Sequence, residues 1–170
     1  MRGPLKALVG LGLVLAAGAI VPAAVRAQGT DNSVAVMGGV YTFNEFQGDT
    51  DPVIGARWTS FLTPAAGVGL GFDWIPIGDG FTGLGYQAEL ELRVPTSGRV
   101  APFFTLGAGA ITFTGSGATN TYFAGILGAG VSAPVAEQVG LRFEARDRIY
   151  HVTGDLINDF HFNGGFEFYF

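Results

Sequence analysis

The sequence predicts an all-β chain, an eight-stranded antiparallel up-and-down transmembrane β-barrel. Three observations predict it. The residues near the C-terminus alternate in character with period two. Seven turn-rich breaks divide the chain into eight segments of about ten to thirteen residues, the length a tilted strand needs to cross a bilayer. The bulky apolar side chains share one face, and the other face carries charges of both signs, the reverse of a soluble barrel.

The clearest strand is the last. From Phe160 the even positions are Phe160, Phe162, Gly164, Phe166, Phe168 and Phe170, and the odd ones are His161, Asn163, Gly165, Glu167 and Tyr169. A helix would mix these two sets around its circumference, whereas a strand separates them. The pattern recurs upstream. Leu84, Tyr86, Ala88, Leu90, Leu92 and Val94 oppose Gly85, Gln87, Glu89, Glu91 and Arg93. Val139, Leu141, Phe143 and Ala145 oppose Gly140, Arg142, Glu144 and Arg146, while Val68, Leu70, Phe72 and Trp74 oppose Gly67, Gly69, Gly71 and Asp73. Ile54, Ala56 and Trp58 oppose Gly55, Arg57 and Thr59. Segments 33–43 and 102–113 fit the same scheme. Between Tyr122 and Val131 the facing stays open, because Phe123, Leu127 and Val131 compete with Tyr122 and Ile126.

The breaks fall at 44–52, 63–65, 76–80, 95–98, 114–119, 133–137 and 152–158, each rich in turn residues. They alternate modestly between longer and shorter, so external loops of about six to ten residues are expected. At the N-terminus, Arg2 and Lys6 precede an uncharged run from Ala7 to Val21, and Val25-Arg26-Ala27 offers a cleavage site. Residues 1–27 are therefore expected to be a secretory signal and residues 28–170 the barrel domain.

Residues 28–170 contain no lysine and no cysteine, and six arginines stand against fourteen acidic residues, a net charge near −8. Nucleic-acid binding relies on Lys and Arg to neutralise phosphates, so it is excluded as a function class. The acids and arginines of the polar face must pair if they fill a narrow lumen, because an unpaired buried charge is costly. Arg57, Asp73, Glu89, Glu91, Arg93, Arg142, Glu144, Arg146 and Glu167 are the expected lumen cluster, with Arg142 and Glu167 facing each other at equal depth. Glycines 67, 69, 71, 85 and 140 on that face leave room for long neighbours.

Chemistry is sparse. Gly67-Val-Gly69-Leu-Gly71 lies within a strand and lacks the helix a phosphate loop needs. Asp49 and Asp51 read as solvated loop acids, and His151 and His161 lack metal-ligand spacing. No cofactor, metal site or catalytic residue is expected.

The last two strands, Val139-Gly-Leu-Arg-Phe-Glu-Ala-Arg146 and the strand ending Phe166-Glu-Phe-Tyr-Phe170, resemble the outer-membrane β-barrel family, the small barrels of OmpA and OmpX type. The glycine-rich Leu127-Gly-Ala-Gly-Val131 resembles their sixth strand. The resemblance implies a monomer in the bacterial outer membrane, in contact with its lipid and lipopolysaccharide. It also implies that Phe166, Phe168 and Phe170 form a sorting signal read by the barrel-assembly machinery. A structural or surface role without a conducting pore is the leading expectation. One alternative is an adhesin or ligand-recognition barrel acting through external loops. Another is a lipid A-modifying enzyme. Its nearest motif here is His151-Val-Thr153 with Asp155, where threonine replaces the serine that such enzymes use.

Overall fold

The computed structural model describes residues 32–43, 50–78 and 80–170; the expected signal segment and Asp49 lie outside them. Eight strands follow in order: β1 (Asn32–Thr42), β2 (Thr50–Thr63), β3 (Ala66–Ile77), β4 (Phe81–Arg93), β5 (Ala101–Gly115), β6 (Ala118–Pro134), β7 (Val139–Val152) and β8 (Asp155–Tyr169). Each pairs antiparallel with its sequence neighbour, and β8 closes on β1. Closure matters in hydrocarbon, where an open edge leaves backbone groups unsatisfied. Following paired residues around the wall from Asn32 through Val68, Leu106 and Asp147 returns to β1 at Thr42, ten residues further on. This stagger is what tilts the strands against the barrel axis.

The alternation read from the sequence places Val36, Trp58, Leu70, Phe72, Leu106, Phe162 and Phe166 outward, where they are exposed. It also settles the sixth strand. Phe123, Leu127 and Val131 point out, and Ala124, Ile126 and Ser132 are buried inside.

The start of β1 and the end of β8 share one end of the barrel with the connections after β2, β4 and β6. The far end carries those after β1, β3, β5 and β7. Toward the far end the facing of polarity reverses. Outward positions become Thr42, Thr50, Thr82, Thr112, Thr114, Thr119 and Thr121, and cross-strand hydroxyl pairs form at Thr112–Thr121 (2.9 Å) and Thr42–Thr50 (3.3 Å). Inward positions at that level become apolar: Phe43, Val53, Ile75, Ile111 and Tyr150 form a buried cluster with Phe113 and Tyr122 packed on it. Polar-out and apolar-in is how a sheet behaves in water, so the reversal marks where the wall leaves an apolar band about 25 Å tall.

The connections differ from expectation. Segments 114–119 and 152–158 were expected as loops, but strands run through both, leaving the two-residue turns Ser116–Gly117 and Thr153–Gly154. Both central residues of each turn have positive φ (51° and 78°; 49° and 99°), the hairpin geometry whose twist matches paired strands. The flanking threonines, counted as loop residues by composition, are good strand formers. Residues 94–100, at the end where β1 starts and β8 ends, form a longer connection than the far-end turns after β3, β5 and β7, so the expected longer-outside alternation does not hold there.

One outward position breaks the apolar band. Asp147 on β7 is opposite Leu127 and Phe160 and bonds to the Asn158 side chain. An ionisable group on the lipid face destabilises a barrel according to its depth. Asp147→Leu is therefore expected to stabilise the folded protein in lipid vesicles by about 1 kcal/mol. A raised urea midpoint would show it, and a lowered one would mean that the carboxylate is needed by the wall.

Candidate functional site

The only concentrated chemistry among the described residues is the lumen. Strand alternation aims one residue in two at it, and eight strands leave it just wide enough to fill with side chains. Nearest the start of β1, Glu167 of β8 gathers contacts from residues of β1, β4, β6, β7 and β8 itself. Its carboxylate accepts from Arg93 of β4 (2.6 Å), Ser132 of β6 (2.6 Å), Ser33 of β1 (2.8 Å) and Tyr169 (2.9 Å), and from Arg142 of β7 at 3.5 Å. Arg142 donates more closely to Glu91 (2.8 Å) and Glu144 (3.2 Å), with its guanidinium 4.0 Å over the Phe103 ring.

One level further in, Arg146 holds both oxygens of Glu89 at 2.5 and 3.1 Å. It also donates to Glu144 at 3.0 Å, and its Nε lies 2.6 Å from that carboxylate at an angle outside a hydrogen bond. Arg57 reaches Asp73 at 2.7 Å and donates to the carbonyls of Ala56 and Phe72. Above them Arg148 joins Asp73 (2.9 Å) and Gln87 (3.1 Å). Tyr41 and Tyr150 then donate to Asp159 at 3.1 and 2.6 Å, directly under the apolar plug. Such a network is tolerable in a water-poor interior only because each charge has partners.

Glycine makes the space. A Cβ at Gly85 would stand 2.6 Å from both terminal nitrogens of Arg148, and one at Gly71 would stand 2.9 Å from the Arg57 side chain. All nine residues expected in the lumen are brought together there. Arg142 and Glu167 are not directly opposed, however: Arg142 faces Gly165 and Glu167 faces Gly140. The tight Thr153–Gly154 turn fixes a register two residues away from equal depth, and the long guanidinium spans the diagonal.

Sequence reasoning missed Arg148, Asp159 and Ser132, and it placed Gln87, Thr59 and Tyr169 on the polar face without counting them in the cluster. Arg148 continues the even series 142, 144, 146 on β7, but the outward Asp147 beside it obscured the alternation. His161 is fully buried in the lumen, edge-on to Tyr41 with ring centroids 5.3 Å apart. His151, Thr153 and Asp155 are all exposed at the far-end turn. Asp51 lies at the start of β2, and no group of metal-ligating side chains occurs among the described residues.

Residues 11–170 match the family model described as outer membrane protein beta-barrel domain. Solved structures with the same fold include Neisserial surface protein A, at 13% identity and TM-score 0.66, covering 83% of this chain and 98% of that one. The N-terminal barrel domain of Pseudomonas aeruginosa OprF has 17% identity and TM-score 0.62, covering 84% and 100%. The outer membrane enzyme PagL has 16% identity and TM-score 0.53, covering 80% and 98%. No curated protein sequence matches the chain.

Proposed function

Because the chain belongs to the outer membrane protein β-barrel domain family, we propose that it serves the bacterial outer membrane as a sealed barrel with a structural or surface role and no conducting pore. One observation carries this reading: a continuous network of ion pairs fills the lumen beneath an aromatic and aliphatic plug. An ion entering from the far end would first have to cross apolar side chains, then displace arginines from carboxylates. Purified protein in planar bilayers is expected to give no stable open steps of porin size. Regular large conductance would overturn the sealed-lumen reading.

An enzymatic role is not part of this proposal. An activated hydroxyl needs a base within hydrogen-bond reach and an orienting group behind it. Here His151 ends a strand, Thr153 occupies a turn and Asp155 starts the next strand, all exposed to solvent. Recognition through long loops has little to rest on, since the turns after β3, β5 and β7 are two or three residues long. As a monomer the barrel would be surrounded by lipid and lipopolysaccharide. Its last strand, with Phe166, Phe168 and Phe170 on the outer face, would present the signal read by the barrel-assembly machinery.

A further inference from the structure

Asp147 stands where a carboxylate is costly. On the path that climbs the wall from Asn32 to Thr42, it is reached after six of the eight strand-to-strand steps. It therefore lies about a quarter of the way down from the hydroxyl level, roughly 6 Å inside an apolar band about 25 Å tall. The Asn158 side chain is its hydrogen-bond neighbour, and its Oδ1 has no partner. An ionisable group kept at membrane depth is a sign of use.

Beside it the outer wall is hollowed. Ala88, Ala108 and Gly125 are paired in one row across β4, β5 and β6, and all three face outward. The row below them is Leu90, Leu106 and Leu127, and the row above has Tyr86 and Phe123 at its two ends. Phe123 is 86% exposed. The small residues thus floor a furrow between two ridges. At β4 and β5 it opens into a groove of about 650 Å³ bounded by Trp58, Leu70, Leu90 and Leu106. At the other end Asp147, which pairs with Leu127, is the diagonal neighbour of Gly125 and within side-chain reach of it. Because the rows climb toward β8, the furrow descends from Asp147 toward Trp58. A chain lying in it runs from near the far-end boundary of the apolar band toward its middle.

Charge selects the occupant. Of the six arginines in 28–170, residues 57, 142, 146 and 148 are buried in the lumen and Arg93 points there from its rim. Arg99 lies in the connection at the opposite end, and there is no lysine. The chain therefore offers Asp147 no cation on the outer wall. A second copy would bring another carboxylate, and an uncharged hydrocarbon chain would fill the furrow while leaving Asp147 unpaired. An anionic phosphate head would be repelled. We propose that the furrow binds a single-chain amphiphile with a primary ammonium group, its head on Asp147 and its chain along Gly125, Ala108 and Ala88. A charge-assisted hydrogen bond at the head and apolar burial along the chain then act together. The inference needs the wall to face lipid but does not depend on the sealed lumen, which bilayer recordings test separately.

The test places the folded barrel in phosphatidylcholine vesicles with hexadecylamine or hexadecanol, each brominated at the chain end. A chain of that length covers about four strand steps, roughly 19 Å. From Asp147 those steps pass Gly125, Ala108 and Ala88 and set the bromine beside Leu70, the cross-strand partner of Trp58. Quenching is read in two single-tryptophan chains, Trp74→Phe to report Trp58 and Trp58→Phe to report Trp74, which lies off the furrow. The amine is expected to quench Trp58 at about one-tenth of the mole fraction the alcohol needs, the gain from one charged hydrogen bond. At Trp74 the two probes should act alike. Asp147→Asn should remove the amine's advantage, and so should Gly125→Leu, which fills the furrow. A Cβ at Gly125 meets no atom within 4 Å, so that variant is expected to keep its heat-modifiable gel migration. Asp155→Asn, at the far-end turn, should leave the advantage intact. The proposal is overturned if the two probes quench Trp58 equally, or if the advantage survives Asp147→Asn. Loss of the advantage in Asp155→Asn would also overturn it, by showing general attraction of the amine to an acidic protein. An advantage that disappears as protein density rises at excess amine would assign the furrow to a second copy instead.

Discussion

Arg146→Met is expected to destabilise the folded barrel by about 3–5 kcal/mol, the cost of stripping the partner from a buried charge. Arg146 is fully buried and is the cation that meets both oxygens of Glu89, so the substitution leaves that carboxylate in the lumen without its counter-charge. Glu144 loses its nearest cation as well, although Arg142 at 3.2 Å and Arg57 at 3.6 Å remain. Arg93→Met supplies the contrast. Its side chain is 15% exposed at the rim, and its partners Glu91 and Glu167 both keep Arg142. A loss of about 1 kcal/mol is expected there, as for a pair that water reaches. Replacing Glu89 and Arg146 together by methionine should recover most of the Arg146→Met loss, since apolar isosteres of a buried pair are often neutral. Urea midpoints in detergent, read from Trp58 and Trp74 fluorescence, measure all three. Equal effects for Arg93 and Arg146 would show that water reaches the whole lumen.

How much of this was legible in the sequence follows from what sets each feature. Period two survives wherever one face meets lipid and the other a packed lumen, so Phe160–Phe170 and Leu84–Val94 could be read directly, and with them the inward set from Arg57 to Glu167. The far-end plug was hidden because the rule changes partway along each strand. Ile75, Ile111 and Tyr150 point inward although they are apolar, and Thr42 and Thr112 point outward although they are polar. A single facing rule applied along the strand assigns these residues to the wrong side or to a loop. The register of β7 against β8 was equally hidden. It depends on two turn residues with positive φ, Thr153 and Gly154, and composition cannot say where a turn-rich stretch of seven residues tightens to two.

Removing Phe170 is expected to abolish most assembly in cells while leaving the chain able to refold in detergent. In the folded barrel Phe170 contributes little that is unique. Its ring is exposed on the outer face, and its backbone exchanges hydrogen bonds with Asn32 at 3.1 and 3.3 Å, just beyond the last paired residues of β1 and β8. The closing seam keeps ten paired positions, from Ser33 opposite Tyr169 to Thr42 opposite Phe160, and Ser33 still donates to Glu167 across it. A purely structural role therefore amounts to one frayed pair, about 1 kcal/mol. An assembly role predicts a far larger effect in vivo, because the residue would be read before the barrel closes. The two are separated by comparing heat-modifiable gel migration of membrane fractions with refolding of the purified chain. Wild type should run compact before heating, and the truncated chain should be found mostly unfolded or degraded in the periplasm. Phe170→Tyr, which keeps a terminal aromatic ring, should assemble like wild type. If the truncated chain assembles normally at ordinary expression, Phe170 is only an interface anchor, as in the aromatic girdles of such barrels. The sorting signal would then have to lie in Phe166 and Phe168 or outside the last strand.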